Sequence, residues 1–139
     1  MSQENLEIVR RIFEAWAVAD WSIGNDYYDR HVVFVMSPDF PAFGVSYGID
    51  QVKAYWRDFL EQFERTTIEA KRLQTAGDTV LAQVVQHAKG RASGVEGDIP
   101  FFMLFTFRGK RIVRVESMIE EAEAREALGL SEQDAQAGS

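Results

Sequence analysis

Residues 66–119 read TTIEAKRLQTAGDTVLAQVVQHAKGRASGVEGDIPFFMLFTFRGKRIVRVESMI. This segment is rich in β-branched and aromatic residues, which suit the pleated, half-buried surface of a sheet. Turns that contain Gly, Asp or Lys interrupt it about every ten residues, a spacing typical of an antiparallel meander. The predicted strands cover residues 66–75, 79–89, 99–107 and 112–119.

The chain before this segment has mainly helical periodicity. An N-terminal helix is predicted from apolar residues that recur at spacings of three and four, namely Leu6, Val9, Phe13 and Trp16. Residues 32–36, VVFVM, predict a first strand, and a second long helix is predicted to start at an Asp50 N-cap. Short helices are expected over residues 23–29 and 120–128, the latter closed by Gly129.

Helices grouped on one face of an antiparallel sheet indicate an α+β fold. We predict a curved, mostly antiparallel sheet wrapped around the N-terminal helices, which is a cone-shaped α+β barrel or cystatin-like roll with an apolar interior. The 139 residues predict a single domain over residues 1–130. Residues 131–139 are small and polar, so we predict a flexible C-terminal tail.

Composition excludes several function classes. The chain has 15 Lys and Arg against 22 Asp and Glu, a net charge of −7, which argues against a nucleic-acid partner. It has no cysteine, and its two histidines lack ligand spacing, so neither a metal site nor a cofactor is expected. No signal peptide or apolar membrane span is evident, so a cytoplasmic location without membrane association is expected.

Strand alternation predicts which side chains face the interior, because successive residues point to opposite faces. Val33, Val35 and Ser37 are expected inward on the first strand, and the set containing Gln86 on the long middle strand. An apolar lining with few polar groups is typical of a small-molecule site, although such stripes belong more often simply to a filled core. The predicted ligand-binding residues are Phe13, Trp16, Ser37, Trp56, Phe59, Gln86, Phe101, Met103, Phe105, Val115 and Ser117.

Four stretches carry a family resemblance: residues 7–16 (EIVRRIFEAW), 50–56 (DQVKAYW), 105–115 (FTFRGKRIVRV) and 126–130 (EALGL). They resemble the SnoaL-like polyketide cyclase branch of the nuclear-transport-factor-2-like superfamily. The resemblance implies the cone fold, a scaffold that hosts isomerases, cyclases and non-enzymes.

Ketosteroid isomerases of that fold use a tyrosine, an aspartate base and a protonated acid. The resemblance places Phe13, Ser37 and Met103 at these positions, and the isomerase chemistry is therefore not expected here.

Three titratable residues are the candidates if the protein is an enzyme. Asp39 lies in a proline-rich loop two residues after the position of the isomerase base. Glu116 becomes a candidate base if the last strand has the opposite parity, whereas pairing with Arg114 places it on the outer face. His31, at the start of the first strand, is a candidate proton shuttle.

The outer face of the predicted sheet is also apolar, and we expect a homodimer through it, with a packing role for His87. Two functions follow as hypotheses. The first is binding of a small apolar molecule, steroid-like or polyketide-like, with or without isomerase or cyclase activity. The second is a non-catalytic dimeric module that binds another protein. The predicted outer-face residues are Leu81, Val85, Phe102, Leu104, Ile112 and Met118.

Overall fold

A computed structural model describes residues 2–22, 25–40 and 43–137 of the chain. Helices and strands follow one another in the order that the sequence pattern predicts, with one additional strand. The elements are α1 (Ser2–Trp16), a 3-10 turn (Asn25–Tyr27), β1 (Tyr28–Met36), β2 (Gly44–Tyr47), α2 (Gly48–Glu61), β3 (Phe63–Ala76), β4 (Thr79–Gly90), β5 (Glu96–Arg108), β6 (Arg111–Met118) and α3 (Glu121–Ala137).

The strands form one six-stranded sheet in the order β2-β1-β6-β5-β4-β3. All neighbours pair antiparallel except β1 and β6, which run parallel. The sheet is curved but does not close, since β2 and β3 are both edge strands. The α+β prediction is therefore confirmed, and the predicted barrel is an open one.

The two N-terminal helices cover the concave face of this sheet. Helix α1 packs against β3 and β4, and α2 packs against β1, β2 and β3. The periodic apolar face of α1 explains its position, because Val9 and Ile12 on that face are fully buried. The Phe13 ring lies 5.8 Å from Phe105 of β5, edge to face. The main core therefore lies between α1 and the sheet.

The start of α2 differs from its prediction. The helix begins at Gly48, so Asp50 lies in its first turn and the predicted Asp50 N-cap is wrong. Gln51 Oε1 accepts a hydrogen bond from the N–H of Tyr47, the N-cap residue, over 2.8 Å. The strand β2 that precedes α2 was missed. Four residues that include a glycine carry too little strand pattern to be distinguished from a loop.

Two other helix predictions need correction. The helix predicted over residues 23–29 is a single 3-10 turn, and β1 already begins at Tyr28; residues 23 and 24 lie outside the described residues. The C-terminal helix does not end at Gly129 but continues to Ala137. Gly129 lacks the left-handed φ of a C-cap glycine, and it is simply tolerated within the helix. The flexibility of residues 131–139 stays a prediction, and residues 138 and 139 are not described.

The predicted interior faces are right for β4 and β5 and wrong at two other places. On β1, Val32 and Phe34 are buried whereas Val33 and Val35 are only half-buried. The run VVFVM is apolar at every position, so it carries no alternation from which parity can be read. On β6, Ile112 is buried in the main core rather than on the outer face. A register irregularity between Thr106 and Phe107 reverses the parity there.

The outer face of the sheet is partly covered by the chain itself. Helix α3 packs over β3 to β6, and Leu81, Leu104 and Met118 form a second buried cluster with Ala124 of that helix. The inference that these three residues need a second chain to cover them is therefore wrong. The helices of the described residues all lack the length and apolar character that crossing a bilayer demands.

Candidate functional site

An apolar cavity of about 210 Å³ lies between α2 and the concave face of the sheet. Its residues come from all the strands except β2, from α2 and from three connecting positions, namely the loop after β1, the residue between α2 and β3, and the residue after β6. Most of them are aromatic or aliphatic. They are Phe34, Met36, Phe40, Tyr55, Trp56, Phe59, Gln62, Phe63, Ile68, Gln86, Ile99, Phe101, Met103, Ser117 and Ile119.

Aromatic rings from α2 and β3 form one wall of the cavity. Phe59 is central, with its ring centroid 5.5 Å from Trp56 and 5.2 Å from Phe63, both edge to face. Tyr55 stacks on Phe59 at 6.3 Å, and burial raises the pKa of its hydroxyl. The spacing of these residues along α2 places them on the helix face toward the sheet. Rigid rings therefore define the width of the cavity.

The buried polar contribution to the lining comes from Gln86 and Ser117. Gln86 Nε2 donates a hydrogen bond to Thr66 Oγ1 over 3.0 Å, and Thr66 Oγ1 donates to the carbonyl of His87 over 3.0 Å. This chain fixes the Gln86 amide at the wall. The second N–H of Nε2 is a donor suited to a carbonyl of a ligand, and Oε1 is an acceptor suited to a hydroxyl or amine.

The cavity opens where two of its aliphatic residues reach the surface. Ile99 is 41% exposed and Ile119 is 37% exposed, although both line the cavity. Phe40, from the loop after β1, packs edge to face on Phe101 at 5.6 Å near this end. An apolar mouth of this kind admits an apolar ligand without desolvating a charge.

The structure brings together six of the residues that the sequence predicts for ligand binding. Five others lie elsewhere. Phe13, Phe105 and Val115 belong to the packed main core, and Trp16 lines a separate cleft. The six at the cavity are Trp56, Phe59, Gln86, Phe101, Met103 and Ser117.

Ser37 and Asp39 lie beside the cavity rather than in its lining. Ser37 is buried, and its N–H donates to the carbonyl of Ser117 over 3.1 Å. Its Oγ donates to Asp39 Oδ2 over 3.4 Å, while Asp39 is exposed. Asp39 therefore acts as the acceptor of a local turn and is not directed at a cavity ligand by any described contact.

The other two candidate bases are also outside the cavity lining. Glu116 Oε2 lies 3.5 Å from Arg114 Nε, the pair that the sequence predicts for the outer face. His31 is exposed, and its backbone N–H donates to Asp29 Oδ1 over 2.8 Å. Among the lining residues that the structure describes, there is no Asp, Glu or His. The described lining thus offers no side chain suited to proton abstraction near neutral pH.

Several lining residues were missed in the sequence, for three different reasons. Phe34 and Met36 were missed because the parity of β1 was assigned one residue out. Tyr55 and Phe63 are each four residues from the predicted Phe59. This helical spacing indicated that they lie on the same face, and it could have been used to include them in the site. Phe40 sits in a loop, where no periodicity indicates its position.

His87 projects from the opposite face of β4. Its Nδ1 lies 2.7 Å from Asp98 Oδ1 and its Nε2 3.2 Å from Glu69 Oε1. These hydrogen bonds, with Asp98 first and Glu69 second, raise the pKa of His87. The histidine is engaged by carboxylates of β5 and β3, so it is a polar part of the outer face.

Comparisons with known proteins agree with this architecture. The sequence matches the SnoaL-like domain family over residues 9–115, and no curated protein matches it. The fold is similar to an NTF2-like protein of unknown function from Burkholderia pseudomallei, with TM-score 0.74, 17% identity, and 90% and 97% of the two chains covered. It is also similar to a putative SnoaL-like polyketide cyclase from Jannaschia sp. CCS1, with TM-score 0.72, 19% identity, and 91% and 92% covered.

A third similar structure is that of TerC co-crystallised with polyporic acid, with TM-score 0.72, 14% identity, and 91% and 98% of the two chains covered. At these identities the structural likeness shows the fold alone. The family match extends over more than half of the chain, from α1 to β6. This protein therefore belongs to the SnoaL-like domain family within the NTF2-like fold.

Proposed function

We propose that this protein binds a small, neutral and largely apolar molecule of one or two rings in the interior cavity. The observation that carries the proposal is the lining, in which aromatic and aliphatic side chains surround about 210 Å³ and Gln86 offers a fixed amide. Enclosed apolar pockets with a few convergent polar groups are typical ligand sites.

The cavity volume limits the size of the ligand. An engineered apolar cavity of roughly 150 Å³ holds benzene, whereas pockets for drug-sized ligands begin at about 300 Å³. A volume of about 210 Å³ lies between these two values. It favours a one- or two-ring compound over the four-ring steroid that the sequence left open. One protein of similar fold is named a putative polyketide cyclase, and another, TerC, was co-crystallised with polyporic acid. Both support a search for the ligand among small organic molecules.

Binding is favoured over catalysis by proton transfer. Isomerisation or cyclisation of that kind needs a group that accepts a proton near neutral pH. Asp39, Glu116 and His31 all lie outside the described lining, and the raised pKa of Tyr55 keeps its hydroxyl protonated. We therefore expect Asp39→Asn, Glu116→Gln and His31→Gln to leave ligand affinity unchanged.

Methionine methyl NMR tests the proposal with an internal control. Met36 and Met103 line the cavity, while Met118 is buried on the opposite face of the sheet under α3. With ¹³C-methyl-methionine protein titrated with 2-tetralone, a neutral two-ring ketone, the Met36 and Met103 signals should shift and saturate. The Met118 signal should stay in place. Absence of a saturable shift, or equal shifts at all three methyl groups, would overturn the proposal.

A further inference from the structure

A second cleft, of about 490 Å³, lies beside α2 and outside the interior cavity. All three tryptophans of the chain line it: Trp16 at the end of α1, Trp21 after the following turn, and Trp56 on α2. Ala19 has a left-handed φ of 60°, and this turn returns the chain so that Trp21 lies 5.8 Å from Trp16. The Trp21 and Trp56 ring planes are only 26° apart, at 6.2 Å. Two nearly parallel indoles thus border the cleft.

The same cleft carries an excess of positive charge. Lys53 and Arg57, one turn apart on α2, are exposed, and neither has an ion-pair partner among the described residues. Arg91 donates from Nε to the Glu61 carbonyl over 3.0 Å and from a terminal nitrogen to the Phe63 carbonyl over 3.2 Å. Both hydrogen bonds go to backbone carbonyls, and Arg91 forms no ion pair with a carboxylate among the described residues. Among the described lining residues, three are cationic and one, Glu61, is a carboxylate. The cleft is therefore locally positive, although the protein as a whole has a net charge of −7.

A buried hydroxyl lies at the same cleft. Tyr28 lines it and is 7% exposed, and its Oη is buried with no hydrogen-bond partner among the described residues. A buried hydroxyl without a partner costs free energy, and such groups in folded proteins generally have an explanation. Because Oη has essentially no accessible surface, Tyr28 contributes its ring rather than its hydroxyl to the wall of the cleft.

We propose that this cleft is a second ligand site, specific for a planar aromatic carboxylate. The aromatic ring lies against the indoles of Trp21 and Trp56, and the carboxylate pairs with Lys53 and Arg57. The site is distinct from the interior cavity, because Trp21, Lys53 and Arg57 do not line that cavity, although Trp56 lies in the wall between the two. Its preference for an anion also separates it from the neutral ligand proposed there.

The tryptophan indole N–H signals in ¹H–¹⁵N NMR spectra provide the test. Trp21 is the reporter, because it lines the cleft and not the cavity, whereas Trp56 lines both. The probes are 2-naphthoate and its neutral counterpart 2-naphthamide. We expect 2-naphthoate to shift the Trp21 signal and saturate, with 2-naphthamide binding about tenfold more weakly. Added salt should weaken only the binding of 2-naphthoate.

Paired double variants identify the charges responsible. Lys53→Gln with Arg57→Gln should lower the 2-naphthoate affinity about tenfold and leave that of 2-naphthamide unchanged. Arg72→Gln with Lys110→Gln changes the net charge equally at exposed positions away from the cleft, and should have no effect. Equal affinities for the two probes, an unmoved Trp21 signal, or the same loss in both double variants would each overturn the second site. None of these outcomes affects the 2-tetralone experiment on the interior cavity.

Discussion

Gln86 Nε2 donates to Thr66 Oγ1 over 3.0 Å, and both side chains are buried where β3 and β4 pair beside the cavity. This contact orients the one amide that the cavity lining buries. Gln86→Leu keeps a similar volume but removes the amide, so binding of 2-tetralone should weaken about tenfold or more. The thermal stabilisation by that ligand should disappear while the cooperative unfolding transition remains.

The control for this change is Gln83→Leu, the same substitution on the opposite, exposed face of the same strand. It should leave the ligand-induced shift of the unfolding temperature intact. An unchanged ligand response in Gln86→Leu would show that Gln86 does not contact the ligand.

The buried hydroxyl of Tyr28 gives a stability prediction. Tyr28→Phe removes an oxygen that has no described partner, so the free energy of unfolding should rise by about 1 kcal/mol. Urea denaturation measures this change. Tyr47→Phe removes the same atom from a side chain that is 64% exposed, and should change stability very little. A clear loss of stability in Tyr28→Phe would mean that the hydroxyl is satisfied within the folded protein.

The pH dependence of stability follows from His87. Its hydrogen bonds to Asp98 and Glu69 raise the pKa of the imidazole above its ordinary value of about 6.5. A raised pKa in the folded state stabilises the fold below the unfolded-state pKa, and this contribution is lost as the pH rises through the folded-state pKa. The wild type should therefore exceed His87→Gln in unfolding free energy at about pH 5.5, with the difference fading toward about pH 8.

The size of this effect should be small, because the His87 side chain is 44% exposed and salt screens exposed pairs. His31→Gln is the control, since no ion pair involves its ring among the described residues. Urea denaturation across the pH range measures both variants. A difference that grows with pH would contradict the assignment.

The packing of α3 on the outer face is tested at Ala124, which is fully buried against the cluster of Leu81 and Leu104. Ala124→Glu places a large charged side chain there and should lower the unfolding free energy by about 2 kcal/mol or more. Ala122→Glu makes the same change on the exposed side of the helix and should be close to neutral. Equal effects of the two variants would show that α3 does not cover the sheet as described.

The homodimer expected from the sequence remains a prediction, now restricted to the part of the outer face that α3 leaves half-buried. Val85 is such a residue, opposite Glu69 on β3 and Pro100 on β5. Val85→Lys should convert a dimer to a monomer in light-scattering measurements, because a desolvated ammonium opposes burial of the face. A monomeric wild-type protein would contradict the dimer.

The predictable part of the fold is the part with a clear period. Helix α1 and strands β4 and β5 alternate or repeat apolar residues without ambiguity, and their buried faces were predicted correctly. At β1, apolar residues occupy both faces, so the sequence did not indicate which of them point into the core. At β6, the irregularity beside Phe107 reversed one residue, Ile112, in a way that no sequence period reports.

The sequence predicted the apolar character of the candidate site better than it predicted which residues line it. Gln86 was identified from the apolar alternation of β4, and Ser117 from the placement of the Arg114–Glu116 pair on the opposite face of β6; Met103 was identified through the family resemblance. Phe40 and the tryptophan cleft depend on loops and on the turn at Ala19, whose geometry is set by tertiary contacts. Residues that meet only through such turns have no common period in the sequence.

The parallel pairing of β1 with β6 has a consequence for how the protein reaches this structure. Phe34 and Val115 are register partners although most of the chain separates them. Their pairing must close a very long loop, and pairings of this kind slow folding relative to local hairpins. On the ribosome, β1 and β2 can pair with each other, but this pair has no other strand of the sheet to join until β6 emerges. The N-terminal strands are therefore expected to be the last to acquire protection from hydrogen exchange.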